Sequence, residues 1–256
     1  MTSCILLSHV FIKPNQEHKL DIVNFAVQHY RKHNPDAYII LTGHGEFPEK
    51  TKNFCNYIHW KPNIIEKDIN VGHPHLINIG LDHAQDKEFT HVLKTRADTI
   101  HLYKNILNNA HDKLKDKKLI ITQMTKFNTK HMGDLFMYGE LNFLKQCWNI
   151  NTWYPTTTGI TSLANNFLNN CDEDNWIDAL KNNCIFQDVA SLKWIDLGAN
   201  WNILKNKQQI LDNILEENEK YFWGAKQKWL RFDAEGNHIY SKPKVGEIIT
   251  EKEWYK

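Results

Sequence analysis

Short apolar runs alternate with longer amphipathic segments along the first hundred residues, and this alternation restricts the folds open to the chain. Four runs have the length and apolar character of buried strands: residues 4–10, 37–41, 56–60 and 90–94. Two segments between them repeat apolar side chains at helical spacing: residues 20–33 and 74–84. Strands that alternate with helices predict βαβ units, and hence an α/β fold with a mostly parallel central sheet flanked by helices.

The rest of the chain has weaker patterns. Residues 118–122 predict a further strand, and residues 141–148, 176–184 and 207–221 predict helices. Residues 229–256 alternate apolar and polar side chains around Gly236-Asn237, which predicts either a hairpin or an arm. Because the sequence contains no internal repeat, linker or low-complexity run, we expect residues 1–256 to form a single domain.

Charge and cysteine usage exclude several classes of protein. Thirty-one basic and 30 acidic residues leave a formal charge of +1, without the basic excess typical of nucleic-acid-binding domains. No apolar run reaches the roughly 18 residues of a membrane span. The first ten residues lack the basic segment and cleavage site of a signal peptide. Five scattered cysteines, never spaced as CxxC, favour a reducing compartment over a disulfide framework or structural zinc site. We therefore expect a cytoplasmic protein with at most peripheral membrane contact.

The loop after the first predicted strand contains no glycine. Its residues 8–15, Ser-His-Val-Phe-Ile-Lys-Pro-Asn, cannot form a GxGxxG dinucleotide loop or a GxxxxGK[ST] phosphate loop. The same absence counts against a sugar-nucleotide pyrophosphorylase, whose first loop is rich in glycine. The sequence also lacks a GxSxG elbow and an HExxH helix. These absences weigh against dinucleotide-dependent oxidoreductases, P-loop NTPases, serine hydrolases and zincins.

Residues 73–103 carry the most informative pattern. A predicted helix containing Asn78-Ile79-Gly80-Leu81 precedes a strand that ends in Arg96-Ala97-Asp98. This arrangement resembles the core of GT-A glycosyltransferases, in which a helix with an Asn-x-Gly-hydrophobic pattern precedes a strand ending in an acidic DxD-type motif. In this chain, arginine stands in the place of the first aspartate.

A closer resemblance is to the WavE-type family of lipopolysaccharide and capsule biosynthesis proteins. That family combines a Lys-x-Arg-x-Asp strand end with a later Ser-Asp-aromatic-aromatic-x-Gly segment. Residues 94–98 are Lys-Thr-Arg-Ala-Asp, and residues 131–139 are His-Met-Gly-Asp-Leu-Phe-Met-Tyr-Gly. The match covers residues 1–150. It implies a GT-A-like nucleotide-diphospho-sugar transferase fold, with residues 1–150 as the nucleotide-sugar-binding core and 151–256 as acceptor-side helices and a C-terminal arm.

The resemblance implies a glycosyltransferase of surface polysaccharide synthesis, with a nucleotide-sugar donor and a glycan or lipid-linked acceptor. Such a reaction releases a diphosphate, whose growing charge must be stabilised. Carboxylate oxygens suit Mn²⁺ or Mg²⁺, so Asp98 is the expected metal ligand. Arg96 would contact phosphate or hold Asp98 in position. Because one carboxylate of the usual pair is absent, the need for a metal stays open.

The remaining site residues combine the proposed reaction with the positions of the predicted strand ends and of aromatic side chains, whose flat faces suit sugar rings. Asp134 is the first candidate for the general base of an inverting transfer, and Glu140 is the second. Trp153 and Tyr154 are the expected acceptor-binding aromatics. The expected donor-binding residues are Ser8, His9, Thr42, His75, Asn78, Lys94, Arg96 and Asp98.

Ordinary structural roles compete with several of these assignments. Asp98 has the alternative role of a turn or N-cap residue, and Asp134 that of capping a helix that begins near Leu135. Lys94 and Arg96 alternate on one strand face, as on a solvated edge. His73-Pro74-His75 has the spacing of a metal pair, although among 14 histidines such spacing arises readily.

Three other functions compete with glycosyl transfer. The incomplete DxD motif is compatible with a non-catalytic carbohydrate- or nucleotide-binding protein on a decayed GT-A fold. A scaffold subunit of a polysaccharide-assembly complex would bind a partner protein and no donor. A nucleotidyltransferase is the third alternative, and the glycine-free first loop counts against it.

Overall fold

A computed structural model describes residues 2–8, 17–62, 69–101, 105–122, 130, 132–153, 159–187, 194–196, 231–232 and 238–239. The strands are β1 (Ser3–Ser8), β2 (Tyr38–His44), β3 (Tyr57–Lys61), β4 (His91–Arg96), β5 (Thr99–His101), β6 (Leu119–Thr122), β7 (Phe136–Glu140), β8 (Cys184–Gln187), β9 (Trp194–Asp196), β10 (Arg231–Phe232) and β11 (His238–Ile239). The helices longer than one turn are α1 (Glu17–His33), α2 (Ile69–Asp86), α3 (Ile106–Leu114), α4 (Leu141–Cys147), α5 (Gly159–Asn169) and α6 (Trp176–Asn183).

A seven-stranded sheet in the order β3-β2-β1-β4-β7-β6-β8 forms the centre of the molecule. All of its neighbouring strands pair in parallel except β7, which runs antiparallel to both β4 and β6. This confirms the predicted mostly parallel α/β sheet. Outside it, β5 pairs with β9, and β10 pairs antiparallel with β11, which agrees with the hairpin among the two alternatives for the C-terminal segment.

Helices cover both faces of this sheet, and side-chain alternation along the strands divides the core into two layers. On β1, Ile5 and Leu7 belong to the layer that also contains residues of α1 and α3, whereas Cys4 and Leu6 belong to the layer with residues of α2 and of α4 to α6. All four side chains are fully buried, which explains why β1 is a continuous apolar run. No helix among the described residues is long and apolar enough to cross a membrane.

Helix α2 packs closely on the sheet at Gly80. A Cβ at this position would overlap the side chain of Leu6 on β1, so the glycine permits the close approach of helix and strand. The prediction that this helix begins at Pro74 was wrong, since α2 begins at Ile69 and contains the proline. Proline removes only one backbone donor, and near a helix start that loss interrupts few hydrogen bonds. The predicted helix 207–221 lies outside the described residues.

Strand β2 is longer than the predicted 37–41 segment. It continues through Gly43 to His44, beyond the end of the predicted run. A Cβ on Gly43 would overlap the ring of Trp60 on β3, and the Trp60 indole donates a hydrogen bond to the Gly45 carbonyl at 3.0 Å. The glycine therefore admits a neighbouring aromatic side chain and does not end the strand.

Candidate functional site

The carboxyl ends of four adjacent parallel strands meet at one edge of the sheet. The register places His59, Thr42, Ser8 and Arg96 opposite one another on β3, β2, β1 and β4. Side chains directly opposite in a sheet lie on the same face. The Thr42 Oγ1 and His59 Nε2 atoms are buried and have no hydrogen-bond partner among the described residues. This edge therefore offers polar groups suited to a ligand, and it brings together three predicted donor-binding residues.

Arg96 and Asp98 form a bidentate pair at the end of β4. Arg96 Nε lies 2.8 Å from Asp98 Oδ1, and Nη2 lies 2.5 Å from Oδ2. The Arg96 side chain is 40% exposed, and Thr99 Oγ1 also approaches Asp98 Oδ1 at 3.4 Å. Two parallel hydrogen bonds fix the guanidinium plane, so a partly exposed cation is held in one orientation at the sheet edge.

The residues around Asp98 do not fit a divalent cation well. Both of its carboxylate oxygens already accept hydrogen bonds from Arg96. Across the described part of the chain, no group of three or more His, Cys, Asp or Glu side chains has an arrangement that could hold a metal ion. Mn²⁺ and Mg²⁺ require several oxygen ligands, and the described side chains supply no such set.

Lys94 lies in an otherwise apolar row of the sheet, between Leu6 on β1 and Met137 on β7. It is fully buried, and its ammonium donates to the Asp134 carbonyl at 2.7 Å and to Asp134 Oδ2 at 2.9 Å. The same ammonium lies 4.7 Å from the centre of the Trp148 ring. The alternative of a solvated edge is therefore wrong for Lys94, whose donors face Asp134 and Trp148.

The ion pair controls the acidity of Asp134. Burial alone would raise the pKa of this carboxyl, but the charges of Lys94, then of His73 and Arg96, outweigh it and hold the pKa well below its ordinary value. Burial lowers the pKa of Lys94, and the neighbouring carboxylate opposes that effect. Asp134 is thus a carboxylate at neutral pH and a weak proton acceptor.

Asp134 and Glu140 lie at opposite ends of β7. Asp134 precedes a strand, so the alternative of a helix cap is wrong. Glu140 is exposed and pairs with His91 at the start of β4, on the amino edge of the sheet. At about 3.4 Å per residue the two carboxylates are roughly 20 Å apart. The structure therefore brings Asp134 to the site edge and places Glu140 away from it.

His73 connects the start of α2 to this edge. Its Nε2 lies 3.2 Å from Ser8 Oγ, and its Nδ1 lies 4.0 Å from Asp134 Oδ2. Burial, reinforced by the charge of Lys94, lowers the pKa of His73 to about 3, so the ring is neutral at pH 7. In the sequence, His73 stands out only as half of a possible metal pair, directly before Pro74.

Asn78 and His75 continue along α2. The Asn78 amide donates to the Pro74 carbonyl at 2.8 Å and to the Trp148 carbonyl at 2.5 Å, so it ties α2 to the end of α4. His75 is partly buried and contributes, after burial and Lys61, to lowering the pKa of His59. Asn78 thus supports the Trp148 backbone, while His75 lies near the β3 end of the site.

Trp153 stacks on Trp148, with ring centres 5.5 Å apart and an angle of 15°. Trp153 is only 8% exposed, and both rings belong to the core layer under α2. Trp153 is thus a core side chain that packs against Trp148, and no sequence motif identifies Trp148. Tyr154 and His9 lie outside the described residues.

Two solved structures show what this chain is similar to in three dimensions. One is described as a 4-diphosphocytidyl-2C-methyl-D-erythritolsynthase from Anaerococcus prevotii DSM 20548, with a TM-score of 0.52, 10% identity, and coverage of 82% of this chain and 96% of that chain. The other is a candidate nucleotide-diphospho-sugar transferase from Desulfovibrio desulfuricans G20, with a TM-score of 0.48, 12% identity, and coverage of 86% of this chain and 99% of that chain.

Sequence comparisons add no closer relative. No protein-family model matches the chain, and no curated protein matches it. The resemblance to the WavE-type family therefore has no support from them. The structural likeness to the Anaerococcus protein, together with the strand order, shows that the chain shares the α/β fold of that synthase.

Proposed function

We propose that this chain is a glycosyltransferase that moves a sugar from a nucleotide-sugar donor to a glycan or lipid-linked acceptor in surface polysaccharide synthesis. The bidentate Arg96–Asp98 pair at the carboxyl end of β4 supports this proposal most directly. In open α/β sheets, ligands bind outside the carboxyl ends of the strands. A guanidinium held there in one orientation suits phosphate oxygens, so this edge favours a diphosphate.

In the proposed reaction Arg96 faces the departing diphosphate, whose negative charge grows as the bond to the sugar breaks. Asp98 keeps the guanidinium in place, so little reorganisation is needed at that moment. The nucleoside lies against Ser8, Thr42 and His59. Two buried atoms there, Thr42 Oγ1 and His59 Nε2, have no hydrogen-bond partner among the described residues and can bond to it. Arg96 therefore acts on the leaving group, and the ends of β1 to β3 bind the rest of the donor.

A transfer with inversion also needs a proton acceptor for the hydroxyl of the acceptor. Asp134 is the second carboxylate that the described residues place at this edge, and Lys94 makes it a weak base. A weak base accepts a proton efficiently only once that hydroxyl has become acidic. We therefore expect proton transfer to Asp134 late, when the bond to the diphosphate is largely broken.

A nucleotidyltransferase is the second candidate, because the Anaerococcus structure that shares this fold is described as a diphosphocytidyl-methylerythritol synthase. The glycine-free segment after β1 counts against it. A non-catalytic binding protein and a scaffold subunit are the remaining alternatives, and Arg96 in the place of a DxD aspartate is compatible with both.

A thermal-shift screen of UDP-, GDP-, CMP- and dTDP-sugars, with and without Mn²⁺, tests the proposal. A ligand at about 100 times its dissociation constant adds roughly 2.7 kcal/mol to the stability of the native state, which is about 5–10 °C for a chain of this size. Asp98→Asn frees Arg96 from its anchor and should weaken donor binding by about tenfold, or about 1.4 kcal/mol. Asp112→Asn, exposed on α3 and on the other sheet face, is the matched control.

The outcomes separate the candidates. A shift with one donor class that Asp98→Asn reduces and Asp112→Asn does not, together with release of the nucleotide in the presence of acceptor, supports glycosyl transfer. Binding without turnover points to a non-catalytic protein. The four nucleoside triphosphates are added to the same screen, and a shift confined to them, with release of pyrophosphate, points to nucleotidyl transfer. Folded protein that responds to none of these ligands contradicts the proposal and favours the scaffold role.

A further inference from the structure

The imidazole of His73 is placed to meet a ligand at the carboxyl edge. Its side chain is 18% exposed, and Nε2 lies 3.2 Å from the hydroxyl of Ser8. Ser8 in turn stands directly opposite Arg96 in the register of β1 and β4. The Nδ1 atom is 4.0 Å from Asp134 Oδ2, which is too far for a hydrogen bond. One ring nitrogen is therefore held by the sheet, and the other is not committed to the carboxylate.

Charged groups face this imidazole from two parts of the fold. Lys94 and Arg96 on β4 oppose a positive charge on the ring, whereas Asp98 after β4 and Asp134 before β7 favour one. The groups that contact the ring from β1 and from the end of α4, a hydroxyl and an indole, carry no charge. Two cations and two carboxylates act on the ring in opposite directions, while burial is the largest effect that opposes its charge. A further anion at this edge would favour the protonated ring.

We propose that His73 binds the diphosphate of the nucleotide donor as an imidazolium and takes up one proton from solvent when the donor binds. The inference rests on the proposed function, because it requires a diphosphate at this edge.

A sugar nucleotide brings one negative charge on each phosphoryl group. These charges favour the protonated ring and offset the cost of burial that, together with the charge of Lys94, keeps the ring neutral in the free protein. The protonated ring then has two N–H donors: Nε2–H for the Ser8 hydroxyl and Nδ1–H for a phosphate oxygen. Donor binding and protonation thereby become linked events, each favouring the other.

Calorimetry with UDP-glucose and GDP-mannose measures the proton directly. The diphosphate of both probes is esterified at each end, so it lacks the titration near pH 6 of a terminal phosphate. Titrations in Hepes and in Tris, whose ionisation enthalpies differ, give the number of protons bound per donor. We expect about one proton near pH 6 and a dissociation constant that rises by up to about tenfold per pH unit toward pH 8.

His73→Gln removes the titrating group while keeping an N–H near the Ser8 hydroxyl. This variant should bind the donor without proton uptake and with an affinity that changes little with pH. His18→Gln, exposed on α1 at the opposite sheet face, should behave like the parent protein. Proton uptake that persists in His73→Gln, or an absence of uptake in the parent protein, overturns the inference.

A measurement on the unmodified protein covers the case in which His73→Gln does not fold. The ¹⁵N and ¹³C signals of the His73 ring report its protonation state directly. They should change from neutral imidazole to imidazolium when UDP-glucose or GDP-mannose is added near pH 6.5, and a ring that stays neutral in the bound state contradicts the inference. Failure of every donor to bind overturns the proposed function as well, whereas binding to a neutral ring overturns this inference alone.

Discussion

Mutation of the buried pair of Lys94 and Asp134 should show whether the two side chains stabilise the fold as an ion pair or only by packing. Lys94 is fully buried, whereas Asp134 is 16% exposed. Removal of the lysine leaves a carboxylate that water can partly hydrate. Removal of the aspartate leaves an ammonium with no access to water. The two single replacements should therefore differ in cost, and replacing both residues with apolar ones should cost less than the sum.

The magnitudes follow from these environments. Breaking a buried ion pair by removing one partner costs about 3–5 kcal/mol, whereas exchanging both partners for apolar residues is often close to neutral. We expect Asp134→Leu to lower the free energy of unfolding by about 3 kcal/mol and Lys94→Met by about 2 kcal/mol, since water reaches the remaining carboxylate. The double variant should lose about 2 kcal/mol, because the Asp134 carbonyl also loses its donor. The coupling energy is then about 3 kcal/mol.

Urea unfolding of the four proteins at pH 7.5, followed by circular dichroism, measures this coupling. The exposed pair of Lys52 and Glu49, whose nitrogen and oxygen lie 2.6 Å apart, serves as the matched control. Its side chains are largely solvated, so the same cycle on this pair should show little coupling. If the double variant loses as much stability as the two single variants together, the reasoning is refuted. Such a result would show that the buried charges of Lys94 and Asp134 do not stabilise each other.

Two further predictions concern stability. Burial is the main reason why His29, His73 and His101 have a pKa of about 3 in the folded chain. As the pH falls below about 6.5, these three histidines bind protons in the unfolded chain but not in the folded one. The free energy of unfolding should therefore decrease by about 4 kcal/mol between pH 7.5 and 5.5. A urea midpoint that does not change with pH would contradict this. In α2, Gly80→Ala should destabilise by about 1–3 kcal/mol because its methyl group overlaps a buried leucine. Gly72→Ala meets no atom of the described residues within 4 Å and should stabilise by about 0.5–1 kcal/mol; thermal melts of equal shift would refute the difference.

The fold was predictable where local sequence decides structure. Residues 4–7 are apolar at every position because β1 is buried on both faces, and the predicted strand 4–10 overlaps β1 for that reason. Helix α1 ends at His33, where Asn34 and Pro35 stop it as the sequence predicts. The Asn34 side chain also donates to the Tyr30 carbonyl at 3.1 Å and so helps to close the helix. Such signals act over a few residues and require no knowledge of the rest of the chain.

Strand β7 escaped prediction because its partners are distant in sequence. Residues 136–140 are Phe-Met-Tyr-Gly-Glu, a short segment that becomes a strand by pairing with β4 and β6. At Gly139 an added Cβ would overlap the Lys118 carbonyl, so close approach of the β6 end selects the glycine. Neither effect leaves a periodic pattern that a single sequence can show.

The candidate site, like the fold, was predictable from the sequence only in part. Ser8, Thr42 and Arg96 could be expected at one edge, because parallel strands in βαβ units end on the same side. The alternation of Lys94 and Arg96 left open a solvated edge with both side chains exposed, yet only Arg96 is partly exposed. The partner that buries Lys94 stands forty residues later in the chain. The charges in the sequence therefore predicted polar residues at this edge, but they did not predict that Lys94 is buried.

The burial of Lys94 also makes this side chain a reporter of local opening. An amine-reactive reagent cannot reach an ammonium that is fully covered by Asp134, Trp148 and the neighbouring strands. Its modification requires β4 and the segment before β7 to separate, so the rate of labelling measures the free energy of that separation. Lysines on exposed helices react without any such opening. The labelling rate of the Lys94 amine thus reports how often the candidate site opens.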